Sequence, residues 1–421
     1  MPWFVGKEQD MAEGGSTTTR GERMLAMRKA RMAASPPFLR GGFRPFFFGG
    51  PLWAVIALAL WLFAFLGGQE LPSAFDALSW HRHEMLFGFV GAVIAGFLLT
   101  AIPNWTGRLP IAGLPLATLF GVWLAGRLAL LWSEPLGPAL AAVVDVGFYF
   151  AFALIAGREV IAAKNRNLPV VGMVLLFGVA NAIDYAAVLG LIPDSEIGFR
   201  TGIALVVLII AVIGGRIVPS FTRNWMVKQG WSQGLPTQPG RFDQAALAAT
   251  ALGLLLWVAA PDAVLTGVIL LVAGVLQLIR LARWRGWRTF RDPLVLVLHV
   301  GYSWVPIGLL LLGWSIPDPA IPRTSAIHAL TAGAMATMIL AVMTRATLGH
   351  TGRELRAGSG TVISYVLVTF GALLRVIAPL GLIDYRAGME AAGALWAGAF
   401  VLFLVAYGPI LFRSRLGDPS A

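Results

Sequence analysis

The sequence predicts an all-α polytopic membrane protein with twelve transmembrane helices, and three observations support this class. First, 57% of the 421 residues are hydrophobic and 13% are charged, about half the charged share of an average soluble domain. Second, apolar stretches long enough to cross a hydrocarbon layer of about 30 Å recur along the chain. Third, no segment shows the alternation over about ten residues that marks a membrane β-strand, so the spanning segments are predicted to be helices.

The predicted helices divide the chain into three parts. Residues 1–45 are polar and basic and are expected to form an arm, residues 46–413 form the membrane domain, and residues 414–421 form a short tail. Within the membrane domain, helices are predicted at 46–66, 83–103, 112–132, 138–157, 169–191, 199–219, 244–260, 263–282, 293–313, 325–346, 360–381 and 388–412.

Arginine and lysine are distributed unevenly between the two sets of connections. If both termini are cytoplasmic, most of the 32 basic residues lie on the cytoplasmic side, and the opposite side holds four: Arg82, Arg200, Arg323 and Arg386. Cytoplasmic loops of membrane proteins carry such an excess. The pattern predicts cytoplasmic N- and C-termini, and it accounts for the net charge of +11 without nucleic acid as a partner.

A short motif also repeats, which predicts an internal symmetry. "AIPNWTGR", "IVPSFTRN" and "ATLGHTGR" close the second, sixth and tenth predicted helices and align Thr106, Thr222 and Thr351. The intervals of 116 and 129 residues each correspond to about four helices, which suggests three four-helix units. The alternative is that the three helices share only a common way of ending.

The polar residues within the apolar stretches are candidates for function. The chain has no cysteine, which excludes disulfides, iron–sulfur clusters, thiolate-ligated haem and covalently attached haem. It has five histidines, all in predicted helices or at their ends: His81, His83, His299, His328 and His350. Ionisable groups within a membrane are functional candidates by default, and imidazole binds haem iron, copper and zinc. Because the histidines are spread over helices 2, 9 and 10, they favour a broad cofactor between helices.

Several of these histidines also have structural interpretations. In "HRH", a helix would turn His81 and His83 to opposite sides, where they could serve two centres, whereas an extended lead-in would leave His81 at the interface. Glu84 could orient an imidazole. His299 could form a hydrogen bond to the backbone of a neighbouring helix, and His350 could serve packing or capping.

Charged residues gather in the half of the bundle that is predicted to face away from the cytoplasm. Arg127 and Asp145 are nearly symmetric about a short loop, so we expect them to form a structural ion pair. Asp184 and Arg375 could each pair within the bundle, and Arg375 could instead hold the carboxylates of a cofactor. Arg82 could pair with Glu84 or Asp76, or attract an anionic group.

Five segments resemble the NnrS family, whose members are membrane proteins associated with haem, copper and the response to nitric oxide. The segments are "FRPFF" (43–47), "WHRHEMLFGF" (80–89), "AGFLLTAIPNWTG" (95–107), "LHVGYSWVPIGL" (298–309) and "IHALTAGAMATMILAVMTRATLGHTGR" (327–353). They occur in order over nearly the whole chain and contain all five histidines. Arg82 departs from the family pattern, which has a small residue between the paired histidines.

The resemblance implies a haem and copper protein of the bacterial cytoplasmic (inner) membrane that binds or reduces nitric oxide and protects against nitrosative stress during denitrification. It strengthens the five histidines as metal ligands. Arg375, Arg44 and Arg345 are then candidates for binding haem carboxylates. Glu84, Asp184 and Tyr302 are candidate proton carriers if the protein is an oxidoreductase with an electron donor still to be identified. The alternatives are a transporter or proton-coupled channel, and a haem or NO partner protein without turnover.

Overall fold

The computed structural model describes residues 23, 26, 27, 30, 32–193 and 196–418. These residues form helices and contain no strand. Twelve helices are long and apolar enough to cross a membrane: α1 Phe43–Gly67, α2 Ala77–Thr106, α3 Leu114–Leu131, α4 Pro138–Ala162, α5 Leu168–Val188, α6 Ile197–Lys228, α7 Arg241–Ala259, α8 Val264–Arg288, α9 Pro293–Trp314, α10 Arg323–His350, α11 Ser359–Leu380 and α12 Tyr385–Phe412. The predicted fold class and number of spans are confirmed. Most of the predicted arm lies outside the described residues.

Each helix packs against its neighbours in the chain, and α12 packs against α1, so the contacts between successive helices close on themselves. In addition, α6 contacts both α2 and α10, which are distant from it in the chain. We use the term outer end for the end of the bundle at which α1 ends and α2 begins. The charge distribution predicts that this end faces away from the cytoplasm.

The start of α2 differs from its prediction. The helix begins at Ala77 rather than at residue 83, because the side chain of Asp76 caps it by accepting hydrogen bonds from the N–H groups of Leu78 at 2.9 Å and Ser79 at 3.1 Å. Apolarity alone could not locate this start, since the polar run His81–His83 interrupts the apolar stretch. The helical alternative for "HRH" is therefore the correct one.

Three helices are interrupted by π-helical segments, and these are the three that end in the repeated motif. The segments are Glu84–Val90 in α2, Ile210–Gly214 in α6 and Ala329–Met335 in α10. In α2 and α10 the segment is seven residues long and follows directly after a histidine, His83 or His328. Such segments are rare and occur frequently at functional sites.

The threonines of the repeated motif share one role. The hydroxyl groups of Thr106, Thr222 and Thr351 each donate to the carbonyl oxygen four residues earlier, at 2.8, 2.8 and 2.6 Å. Measured back from these threonines, His83 and His328 are both 23 residues away. The correspondence between α2 and α10 thus extends from the motif through the π-helical segment to the histidine, which supports a repeat for this pair of helices.

Candidate functional site

A cavity of about 350 Å³ lies at the outer end, between α1, α2, the start of α6, α10, α11 and α12. Its size falls within the range of small-molecule and cofactor sites. Most of its lining is apolar, from residues such as Leu58, Phe89 and Met335, and two of the five histidines, His81 and His328, also line it. We call it the histidine cavity.

His81 reaches the histidine cavity from the first turns of α2. Its ring stacks on the ring of Trp61 in α1, with centroids 4.1 Å apart and planes inclined by 24°. The Nδ1 atom is buried and has no hydrogen-bond partner. Stacking, and not a hydrogen bond at Nδ1, therefore holds the imidazole of His81 at the cavity.

His328 enters the same cavity from α10. Its Nδ1 lies 2.7 Å from the carbonyl oxygen of Thr324, to which it can only donate, because a carbonyl oxygen has no proton to offer. The Nε2 atom of this tautomer keeps its lone pair. An imidazole whose second N–H is bonded to a backbone carbonyl is the usual arrangement of a metal-ligating histidine.

Three arginines line the histidine cavity, and they differ in their partners. Arg82 pairs with Glu196, and Arg323 pairs with Asp262. Arg375 interacts with the hydroxyl of Tyr385, but no described carboxylate forms an ion pair with it, and its Nη1 is buried without a hydrogen-bond partner. A buried cation without an anion is costly, so the cavity favours a ligand that carries a negative group. The pairing of Arg82 with Glu84 that the sequence suggested does not occur.

His83 points to the opposite side of α2, into a buried cluster of charges. The residue is fully buried. Its Nε2 lies 2.9 Å from Oδ2 of Asp145 in α4, and its Nδ1 lies 3.7 Å from Oδ2 of Asp184 in α5. The hydroxyl of Tyr185 also donates to Asp145, at 3.3 Å. We call this group, together with Glu84 and Arg127, the His83 cluster.

The other members of the cluster compensate one another. Arg127 pairs with Asp145, as predicted, and its Nη1 also donates to Oε2 of Glu84 at 2.8 Å. Glu84 accepts a further hydrogen bond from the indole N–H of Trp53. Buried ions are stable only when they are paired and hydrogen-bonded in this way. The cluster therefore has the features of a scaffold element, and Glu84 does not line the histidine cavity.

The two remaining histidines lie apart from the cavity. His299 in α9 is hydrogen-bonded through Nε2 to the hydroxyl of Thr222 in α6, at 2.7 Å. The bond to a neighbouring helix is present, but its partner is a side chain and not the backbone group that the structural interpretation expected. His350 packs its ring against Phe43, with centroids 5.5 Å apart, at the end opposite the outer end. Among the described residues, no three His, Asp or Glu side chains are grouped closely enough to hold a metal ion.

Arg44 and Arg345 lie at the end of the bundle opposite the outer end, away from the cavity. Arg44 donates to the carbonyl oxygens of Leu411 and Arg413, at 2.7 and 2.6 Å, and so joins the start of α1 to the end of α12. Arg345 lies over the ring of Phe221, 4.1 Å from its centroid.

Tyr302 belongs to a second buried network. Its hydroxyl donates to Oε1 of Gln277 at 2.8 Å and accepts from Arg280 at 3.0 Å, and Arg280 pairs with Asp243 at 2.9 Å. Tyr302 does not line the histidine cavity.

Several residues of the site were not found from the sequence. Trp61 and Glu196 belong to α1 and to the start of α6, far along the chain from the residues that they contact. No spacing pattern links them to "HRH". The hydrogen-bond partner of His328 could have been predicted from the sequence. A histidine in the first turns of a helix often lies next to the carbonyl four residues earlier, here that of Thr324.

The twelve spans and the histidine cavity define a multi-pass helical membrane protein with an internal site between its helices. The chain belongs to the NnrS family: the family model described as "NnrS protein" matches residues 37–415. This range includes α1 to α12 and all five histidines. No curated protein matches the chain.

Proposed function

We propose that this member of the NnrS family is a haem protein that binds nitric oxide at the histidine cavity, within the cytoplasmic membrane of a bacterium. The observation that carries the proposal is the composition of one cavity: it joins two imidazoles from α2 and α10 to an arginine that has no carboxylate partner in the part of the chain that the structure describes. Haem requires these same features, namely imidazole for iron, cationic groups for its carboxylates and apolar walls for its ring.

His328 is the better prepared of the two ligands. Its hydrogen bond to the carbonyl of Thr324 fixes the tautomer and makes Nε2 more basic. His81 is held by its stacking on Trp61 and is the candidate second ligand. Haem iron bound in this way would supply a centre that binds diatomic molecules such as nitric oxide.

Arg375 would hold the acidic groups of the cofactor. A guanidinium makes strong, charge-assisted hydrogen bonds to carboxylates, and the Nη1 of Arg375 is without a partner. The apolar lining around Leu58 and Phe89 excludes water, and a small, nearly apolar molecule can enter from the bilayer without a polar channel.

Binding of nitric oxide is better supported than its reduction. Reduction consumes protons and electrons. Two of the three predicted proton carriers, Glu84 and Tyr302, are engaged in buried networks away from the cavity. The third, Asp184, lies beside His83 and does not line the histidine cavity. An oxidoreductase activity would therefore need a donor of electrons and a different path for protons.

The absorption spectrum of the purified protein tests this proposal. We expect a strong Soret band that shifts when nitric oxide is added. His328→Ala should remove most of the bound haem, and His81→Ala should change the band. His350→Ala, at the opposite end of the bundle, is the matched control and should leave the spectrum unchanged. A colourless protein would favour the transporter or channel, and unchanged spectra in both cavity variants would eliminate these ligands.

Copper is a second candidate for the same cavity. The thioethers of Met85, Met335 and Met389 line it beside His81 and His328, and thioether sulfur and imidazole are ligands that bind Cu(I). Metal analysis of the purified protein separates the two candidates, because copper without haem would leave the protein without a Soret band.

A further inference from the structure

After α12 the chain runs back over the end of the bundle opposite the outer end. The N–H of Leu416 donates to the carbonyl oxygen of Thr351 at 3.0 Å, which fixes the tail to the end of α10. The guanidinium of Arg44 donates to the carbonyl oxygens of Leu411 and Arg413, which fixes the end of α12 to the start of α1. The described part of the tail is therefore held where three helix ends meet.

Three arginines, Arg353, Arg413 and Arg415, come together at this place, and we call them the arginine patch. Arg353 donates to the carbonyl oxygen of Thr351 at 3.4 Å, the same oxygen that binds the tail. The Nε atom of Arg415 lies 3.6 Å from the position that a Cβ atom on Gly352 would occupy. Partial burial and, next, the positive charge of Arg413 lower the pKa of Arg353. The patch therefore holds like charges close to one another.

No carboxylate in the described part of the chain forms an ion pair with the arginine patch. Asp418, in the same tail, lies 3.9 Å from Nη1 of Arg40, and Glu354, which follows Arg353, is exposed to solvent. Cations that are held together without an anion create a positive potential that attracts one. Because arginine forms paired, charge-assisted hydrogen bonds with phosphate oxygens, a phosphate group fits this patch.

An exposed apolar surface begins directly beside the arginine patch. Phe412, the residue before Arg413, is 48% exposed. Its ring stacks on that of Phe38, with centroids 4.3 Å apart, and meets the edge of Phe48 at 5.1 Å. Leu52, one turn further along α1 than Phe48, is also exposed. Because α1 and α12 are membrane-spanning helices, this surface is within reach of acyl chains, and the arginines lie at its edge.

We propose that the arginine patch and Phe412 bind an anionic phospholipid, with its phosphate held by the guanidinium groups and an acyl chain lying along Phe412 and Leu52. Free phosphate would contact only the arginines, whereas a phospholipid also covers the apolar surface. The charge distribution predicts that this end faces the cytoplasm, and the cytoplasmic leaflet carries anionic lipids that basic pockets between helices bind. The proposal does not depend on which cofactor the histidine cavity holds, since that cavity lies at the other end.

Lipid binding by the full-length protein in an uncharged detergent tests the proposal. Dioleoylphosphatidylglycerol and dioleoylphosphatidylcholine have the same acyl chains and differ in net charge, and native mass spectrometry during a titration gives the affinity for each. We expect the parent protein to prefer the anionic lipid. The double variant Arg353→Gln, Arg415→Gln should weaken the binding of this lipid roughly tenfold or more, because it loses hydrogen bonds to a charged group. Its affinity for the zwitterionic lipid should not change.

The double variant Arg223→Gln, Arg241→Gln is the matched control, because it removes the same charge from exposed positions on α6 and α7, which supply no residue of the patch. It should keep the preference of the parent protein. If the double variant of the patch does not fold, Arg413→Gln, at an exposed position, takes its place.

Two results would overturn the site: equal losses of affinity in the patch variant and the control, or equal affinity of the parent protein for the two lipids. A competition with glycerol 3-phosphate separates the lipid from a soluble phosphate, because this molecule has a phosphate group without acyl chains. At the concentration of the lipid it should not displace phosphatidylglycerol. Displacement would show that the patch recognises phosphate alone and would overturn the lipid as its occupant.

Discussion

His83 and His328 occupy corresponding positions in α2 and α10, and their surroundings differ in one respect. Each precedes a seven-residue π-helical segment, and each has an arginine on the next helix, Arg127 on α3 or Arg375 on α11. Around His83 the protein supplies an acceptor, because the carboxylate of Asp145 binds both the imidazole and the guanidinium. Around His328 there is a cavity, and Arg375 has no carboxylate partner among the described residues.

This difference shows that the same residue types serve structure or ligand binding according to where the acceptor comes from. A donor pair that is satisfied by a carboxylate of the protein stabilises the scaffold. A guanidinium without such a carboxylate, as at Arg375, is costly until a ligand supplies the anion. The His83 cluster thus contains the carboxylate that the histidine cavity lacks. The comparison predicts that a variant of the cluster loses stability, whereas a variant of the cavity loses affinity for its ligand.

The largest effect is expected from Asp145→Asn in the His83 cluster. Removing this carboxylate leaves Arg127 paired only with Glu84, and breaking a buried ion pair costs about 3–5 kcal/mol. The apparent melting temperature, measured as the loss of monodisperse protein in detergent, should fall sharply. Unchanged stability would show that the cluster is not a scaffold element.

Arg375→Met tests the other half of the comparison. Arg375 has no ion pair with any described carboxylate, and its Nη1 has no hydrogen-bond partner. The melting temperature of the variant should therefore stay close to that of the parent protein. Affinity for haem should weaken by about 1.5–3 kcal/mol, which is typical of a hydrogen bond to a charged group. The measurement is a haem titration of the apoprotein. A loss of stability without a loss of affinity would reverse the roles that we give to Arg127 and Arg375.

A smaller effect is expected at the cap that starts α2. Asp76→Ala removes the acceptor for the N–H groups of Leu78 and Ser79 and should cost about 0.5–2 kcal/mol. Partial burial of the Asp76 carboxyl raises its pKa, but the hydrogen bonds from Ser79 and Leu78 outweigh this and hold the pKa below its usual range.

The direction of this pKa shift gives the pH dependence of the cap. A folded-state pKa that is depressed stabilises the protein above the unfolded-state value and ceases to do so as the pH falls through the folded-state value. The difference in melting temperature between the parent and Asp76→Ala should therefore be present at neutral pH and shrink in acid. A difference that grows in acid would contradict the capping role.

The fold could be predicted almost completely from the sequence, and the site only in part. Apolar stretches fix the number of spans, because the bilayer requires about 20 apolar residues for each. The pairing of Arg127 with Asp145 followed from their symmetry about a short loop. The sequence did not predict that the histidines separate into a pair in the cavity, one residue in a buried cluster and two isolated residues. It depends on contacts between distant helices, such as that of His81 with Trp61, which leave no periodic signal.

The central claim is that His81 and His328 face one cofactor in one cavity, and an experimental density map of the protein purified with haem tests it most directly. The claim predicts a flat feature in the histidine cavity, continuous with the ring of His328 and with acidic groups beside Arg375. A map in which the cavity is filled by neighbouring side chains, or in which the flat feature lies against His299 or His350 instead, would contradict it.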